Sequence, residues 1–180
     1  MNIMNFSKIL LCSTLAVCIL SSCVSPEQKR KRECVRFLKE LTAGKLTGQE
    51  KLPSDKPWTA SVVGEEGFVT VFLLNSNCSI CIEAFLAFLD VSAKVPEMTN
   101  ILVVLNENDE EMVKHYMALG GYREPFGDGL RLYPVKESYP YMENDYNNLV
   151  FISGDKILAE RFFAGYEFLD IGKGVRVSVE

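Results

Sequence analysis

Histidine is nearly absent from this 180-residue sequence: His115 is the only one. The sequence also lacks a second Cys-x-x-Cys. A zinc site needs four nitrogen or sulfur donors, and Cys34 and His115 stand far along the chain from Cys78 and Cys81, so no metal site is expected. His115, set among charged and apolar residues of a helical segment, reads as a surface or packing residue. Positive charge is in deficit too. Nineteen basic residues face 24 acidic ones, which gives nucleic-acid binding no support. Glycine-rich phosphate loops, nucleophile elbows and internal repeats are all missing, and no cofactor is expected.

What is there begins with an export signal. Lys8 supplies a positive n-region, and Ile9 to Leu20 is an apolar stretch too short to span a membrane comfortably as a mature helix. Leu20-Ser21-Ser22-Cys23 closes it. This resembles a bacterial lipoprotein signal, which implies cleavage of residues 1–22 and acylation of Cys23; an ordinary signal peptide or an uncleaved anchor is the alternative. Cleavage leaves 158 residues with a net charge of −6, enough for one domain with a sizeable core. Cys12 and Cys18 leave with the signal, so Cys34, Cys78 and Cys81 remain as thiols. Cys78 and Cys81 are the natural pair, and Cys34 reads as a small apolar residue against a surface. Lys29 to Arg32 reads as a solvated linker that anionic headgroups attract. Residues 23–57 are expected to form a tether with a short helix near Cys34 to Leu41, and residues 58–180 the folded domain.

The domain is organised around Gly67 to Leu89, GFVTVFLLNSNCSICIEAFLAFL. Phe68 to Leu74 is apolar and β-branched without interruption, which predicts a strand buried on both faces. Asn75, Ser76 and Asn77 stop it. From Cys78 onward, Ile82, Phe85, Leu86, Phe88 and Leu89 fill most of a helix surface. The first turn of a helix offers unpaired N–H groups and the positive end of the dipole, which favour a thiolate at Cys78. Cys81, one turn further in, is close enough to close a small disulfide ring. The arrangement is that of a reversible dithiol.

Around this stretch, Trp58 to Val63 reads as an edge strand and Asn100 to Leu105 as a second buried strand. Asn108 or Asp109 caps a helix that Gly120-Gly121 ends. A loop-rich passage follows, with a short strand at Leu130 to Tyr133, and Leu149 to Ile152 with Lys156 to Phe163 read as a β-hairpin.

A buried strand running into Cys-x-x-Cys at a helix start, then strand, helix and closing hairpin, resembles the thioredoxin fold. With the lipobox it is similar to membrane-tethered thiol:disulfide oxidoreductases of the TlpA type. The resemblance implies an α/β, three-layer fold with a central mixed sheet flanked by helices. It also implies Cys78 as attacking thiol and Cys81 as resolving thiol in the bacterial envelope; Val24-Ser25-Pro26 after Cys23 carries no acidic run of the kind associated with surface export in some lipoproteins, which favours a periplasm-facing place on the outer membrane. The partners implied are client proteins carrying disulfides or thiols, an electron-donor or acceptor protein, and the membrane through the lipid.

Asn77 stands where the family commonly carries tryptophan, Ser79-Ile80 where Gly-Pro is frequent, and Asn147-Asn148 where a cis-proline faces the motif. No carboxylate lies in the strand before the motif. Asn77, Tyr146, Asn147 and Asn148 are the candidate substrate-binding residues. Tyr133, Tyr139, Tyr141 and Tyr146 either line a groove for an extended peptide or cover the sheet edge. The reading from a different class is a redox-inactive thioredoxin-fold lipoprotein that acts as a binding or scaffold module, with Cys78 and Cys81 a permanent disulfide. A peroxidase of the peroxiredoxin kind ranks low, since no Thr or Arg near Cys78 is available to activate a peroxide.

Overall fold

The computed structural model describes residues 25–45, 50–122, 129–136 and 147–170. In chain order these form α1 (Pro26–Thr42), β1 (Glu50–Lys51), a 3-10 turn at Thr59–Ser61, β2 (Phe68–Leu73) and α2 (Ser79–Ser92). Then come β3 (Asn100–Asn106), a second 3-10 turn at Glu107–Asp109, α3 (Glu110–Leu119), β4 (Leu130–Val135), β5 (Asn147–Ser153), β6 (Lys156–Ala164) and β7 (Glu167–Asp170). One sheet runs β1-β6-β5-β2-β3-β4, with β7 also paired to β6. The β2–β3 and β3–β4 pairs are parallel, whereas β2–β5 and β5–β6 are antiparallel. The architecture is mixed α/β, a mixed sheet flanked by helices.

Strand alternation sorts the core into two faces. Phe72, Leu74, Ile101, Val103, Leu105, Leu149 and Phe151 turn toward the three helices, while Val69, Val71, Leu102, Val104, Val150 and Ile152 turn the other way. The continuous apolar runs of β2 and β3 follow from this, because both of their faces are covered. In the β5–β6 hairpin, Phe151 lies opposite Ala159 and Ile152 opposite Ile157, so Leu158 is an extra residue. That bulge puts Ile157 on one face and Ala159 and Phe163 on the other.

All three helices lie on the same face. Both βαβ connections step in one direction along the sheet, from β2 to β3 to β4, and right-handed crossovers then put α2 and α3 on one side. The far face is covered, among the described residues, by the 52–62 segment. Trp58 and Val62 are buried there, so Trp58 to Val63 is not the expected edge strand. The segment instead winds through the Thr59–Ser61 turn, which brings Trp58 and Val62 to one side, and the Thr59 hydroxyl donates to the Pro53 carbonyl at 2.7 Å.

The helix expected inside a tether is part of the core. Ser25 caps α1, its Oγ accepting from the Gln28 N–H at 3.2 Å, and Pro26 occupies the first turn. Leu38 and Leu41 are fully buried, and Phe37 packs against Phe151 and Phe168. Glu50–Lys51 pairs with β6. α1 and β1, which precede the expected boundary at residue 58, thus pack with the sheet that follows it. The short strand expected at Leu130 to Tyr133 extends to Val135, and Glu167–Asp170 adds β7 beside β6.

Candidate functional site

The turn between β2 and α2 is shaped by its own polar residues. The Asn77 N–H donates to Asn75 Oδ1 at 3.2 Å, and the Cys78 N–H reaches the Asn75 carbonyl at 3.4 Å. Ser76 is buried, and its hydroxyl donates to Asp109 Oδ2 at 2.5 Å, across to the turn that precedes α3. Asp109 stands at the N-cap position of α3 but makes no capping bond there. Asn108, the other expected cap, lies within the 3-10 turn, its N–H donating to the side chain of Asn106, which caps that turn.

Cys78 is the N-cap of α2, in extended conformation. Its Sγ accepts the Cys81 N–H at 3.3 Å, and its carbonyl accepts from the N–H groups of Cys81 and Ile82 at 3.0 and 3.1 Å. The sulfur thus occupies the capping site, where the first turn of the helix presents its orphan N–H groups. The two cysteines are not joined in a disulfide, and they are unequal: Cys78 is partly exposed, whereas Cys81 is only 2% exposed. Between them Ile80 projects into solvent, 70% exposed. One sulfur is thus open to attack another molecule while the second waits beneath it.

Of the other residues picked out in the sequence, Asn77 is exposed beside Cys78. Asn148 lies opposite Leu73 at the end of β2 that leads to the cysteines, buried, with its Oδ1 lacking a hydrogen-bond partner. Asn147 pairs through its backbone with Phe163. Tyr146, Tyr139, Tyr141 and Cys23 lie outside the described residues, as do residues 1–22. Tyr133 sits on β4, with β2 and β3 between it and β5, and its hydroxyl donates to the Pro57 carbonyl at 3.1 Å. His115 is exposed on α3, its ring against Tyr116. Among the described residues no cluster of His, Cys, Asp and Glu could hold a metal ion.

Cys34 is remote from the pair in chemistry as well as in sequence. It is buried on α1, and its Sγ–H donates to the Tyr166 carbonyl at 2.8 Å. Burial first, then the charges of Glu167 and Glu33, push its thiol up to about 12. It stays protonated at any physiological pH.

Sequence reasoning missed a small cavity on the face away from α2. It measures about 40 Å³ and is lined by Trp58, Leu73, Asn148, Glu160, Lys56 and Pro53 among others. Trp58 Nε1 is buried without a partner. Burial, followed by the nearby Glu50, raises Glu160 above the usual carboxylate range against the opposing pull of Lys56. The only signal was the alternation of β6, which places Glu160 on the face of Ile157 once the bulge is known.

No protein-family model, curated protein or solved structure matches this chain. Among the described residues no helix is long and apolar enough to cross a membrane.

Proposed function

We propose that the protein carries out thiol–disulfide exchange on exported proteins through Cys78 and Cys81. One observation carries this reading: Cys78 caps α2 with its sulfur as the acceptor of the Cys81 N–H, partly open to solvent, above a buried second thiol. In the reductive direction, the Cys78 thiolate attacks one sulfur of a client disulfide. A new S–S bond forms, the client bond breaks, and the leaving client sulfur takes a proton. Cys81 then gives up its proton and attacks Cys78, releasing the second client thiol. Two electrons pass to the client, and an electron-donor protein restores the dithiol; reversed, the same steps oxidise a client.

The thioredoxin-like fold belongs to this proposal. Its support is the order of β2, α2 and parallel β3, with the antiparallel β5–β6 hairpin on the other side of β2. Two features depart from that pattern: β4 extends the sheet beyond β3, and α3 shares the face of α2. Acylation at Cys23, which would hold the protein on the periplasmic side of a bacterial membrane, rests on the Leu20-Ser21-Ser22-Cys23 sequence.

Buried Asn148, where the resemblance implies a proline facing the motif, favours the second reading: a redox-inactive lipoprotein that binds or scaffolds. Redox titration of the full-length chain against glutathione, with alkylation of thiols and mass readout on Cys78 and Cys81, separates the two. A midpoint within reach of cellular couples identifies an exchange pair, and its value selects reductant or oxidant. A disulfide that resists reduction below about −300 mV identifies a structural staple and overturns the proposal. Cys81→Ser in cells should accumulate mixed disulfides through Cys78.

A further inference from the structure

The outer side of α1 carries a ridge of positive charge that the fold leaves unused. Lys29, Arg32, Arg36 and Lys39 recur at helical spacing, which places them along one stripe directly opposite buried Cys34, Leu38 and Leu41. All four are exposed, and none forms an ion pair among the described residues. The two remaining cations of the segment are spent inward. Arg30 pairs with Glu167 at 3.4 Å, and Lys31 pairs with Glu27 and Asp90 at 3.2 and 3.4 Å while lying over the Tyr166 ring. Glu33 and Glu40 border the stripe on one side only. In a chain whose net charge is −5, four unpaired cations on one exposed helix face form a local exception.

We infer that this ridge is a docking surface for an anionic lipid bilayer, and that it lays the domain on the membrane with α1 underneath. Two arguments choose the occupant. The first is charge complementarity: each cation close to an anionic surface multiplies the affinity about fivefold, and four act together on one rigid helix. The second is chain length, and it rests on the acylated Cys23 of the proposed function. Only Val24 separates that residue from the capping Ser25, so the start of α1 is held within about 10 Å of the lipid surface, close to one Debye length. Because α1 is fixed to the core by Leu38, Leu41 and Phe37, seating the ridge fixes the orientation of the whole domain.

The test uses the full-length gene product, purified from bacterial membranes and reconstituted into vesicles of phosphatidylcholine alone or of equal parts phosphatidylcholine and phosphatidylglycerol. Lysine acetylation by a brief pulse of reagent is read by mass spectrometry. Lys29 and Lys39 should react several-fold more slowly in the anionic vesicles, while Lys136, at the far edge of the sheet, is unchanged. High salt should remove the difference. Arg32→Gln with Arg36→Gln should remove it too, at unchanged melting temperature, since both side chains are exposed. Equal reactivity of Lys29 and Lys39 in the two vesicle types overturns the inference. Protection that appears in native membranes but not in anionic vesicles assigns the ridge to an acidic protein and overturns it as well. The mass of the peptide that carries Cys23 decides acylation separately, so failure of the anchor and failure of the ridge are told apart.

Discussion

The Ser76 hydroxyl donates to the Asp109 carboxylate at 2.5 Å, and this bond ties the turn that presents Cys78 to the start of α3. The two residues are 33 apart in sequence, and no spacing rule links them. Ser76 is buried at the base of the turn, so Ser76→Ala leaves a carboxylate without its donor. A hydrogen bond to a charged group is worth about 1.5–3 kcal/mol, reduced here because Asp109 is partly exposed. The expected outcome of Ser76→Ala is a loss of about 1 kcal/mol in urea unfolding, with a shifted Cys78–Cys81 midpoint in the glutathione titration. Asp109→Asn should fall between the variant and the native chain. An unchanged midpoint in both would show that the turn holds its shape without this bond.

Gly129 is fixed by contact. A Cβ there would collide with the Thr99 carbonyl, and the Gly129 carbonyl accepts the Ile101 N–H at 2.6 Å where β4 meets β3. Gly129→Ala therefore has to part the two strands at their first pair. We expect a loss of more than about 3 kcal/mol, measured by urea unfolding or, if expression fails, by recovery of soluble protein. Gly154, with open space around its Cβ position, serves as the comparison: its cost is limited to the positive φ of 62° that the hairpin turn imposes.

The three described cysteines should alkylate in a fixed order. Cys78 is partly exposed, Cys81 is buried beneath it, and Cys34 is buried with its thiol pushed up to about 12 by burial and neighbouring carboxylates. Pulse labelling of the reduced native protein with iodoacetamide should modify Cys78 first and Cys81 next. Cys34 should react only when the protein unfolds, so its rate should rise with urea along the unfolding curve. Labelling of Cys34 under native conditions would mean that α1 detaches from the sheet.

The placement of Cys78 and Cys81 at the start of α2 was legible in the sequence because strand, polar stop and helix start follow each other without a gap. β2, β3 and the β5–β6 hairpin were legible for the same reason: their burial is written in unbroken or alternating apolar residues. What was not legible depends on partners distant in the chain. The inward and outward cations of α1 look alike as Lys29 to Arg32 until Glu167 and Asp90 claim Arg30 and Lys31. Trp58 to Val63 has strand-like composition, yet it covers the sheet from outside. The side on which β4 joins β3, and hence the common face of α2 and α3, follows from three-dimensional connection and leaves no mark in any one segment.

Thr70 offers a substitution in the stabilising direction. It lies in the middle of β2 on the helix side, fully buried between Ile101 and Phe151, and its Oγ1 has no hydrogen-bond partner. Burying a hydroxyl without a partner costs about 1–3 kcal/mol by mutational measures. Thr70→Val keeps the branched shape and the strand preference while it removes that cost. The expected gain is about 1 kcal/mol in urea unfolding, with no change in the Cys78–Cys81 midpoint. Thr70→Ser, which keeps the hydroxyl and loses a methyl, should destabilise.

Glu160 links stability to pH. Burial, then Glu50, raises its carboxyl above the usual range, and Lys56 only partly offsets them. The folded protein therefore keeps the proton in an interval where the unfolded chain has already lost it. The stabilisation this proton brings is complete below the ordinary glutamate value, about 4.3, and is lost as pH rises through the raised folded value. Glu160→Gln holds the neutral form at every pH, so the variant should melt higher than the native chain at neutral pH. The difference should shrink as pH falls toward the ordinary glutamate value, and the side chain's exposure to solvent keeps it modest. Glu50→Gln should raise the native melting temperature at neutral pH in the same direction and by less, because it relieves only the charge repulsion and leaves Glu160 desolvated. A Glu160→Gln advantage that persists unchanged to low pH would assign the effect to packing around the 40 Å³ cavity rather than to titration.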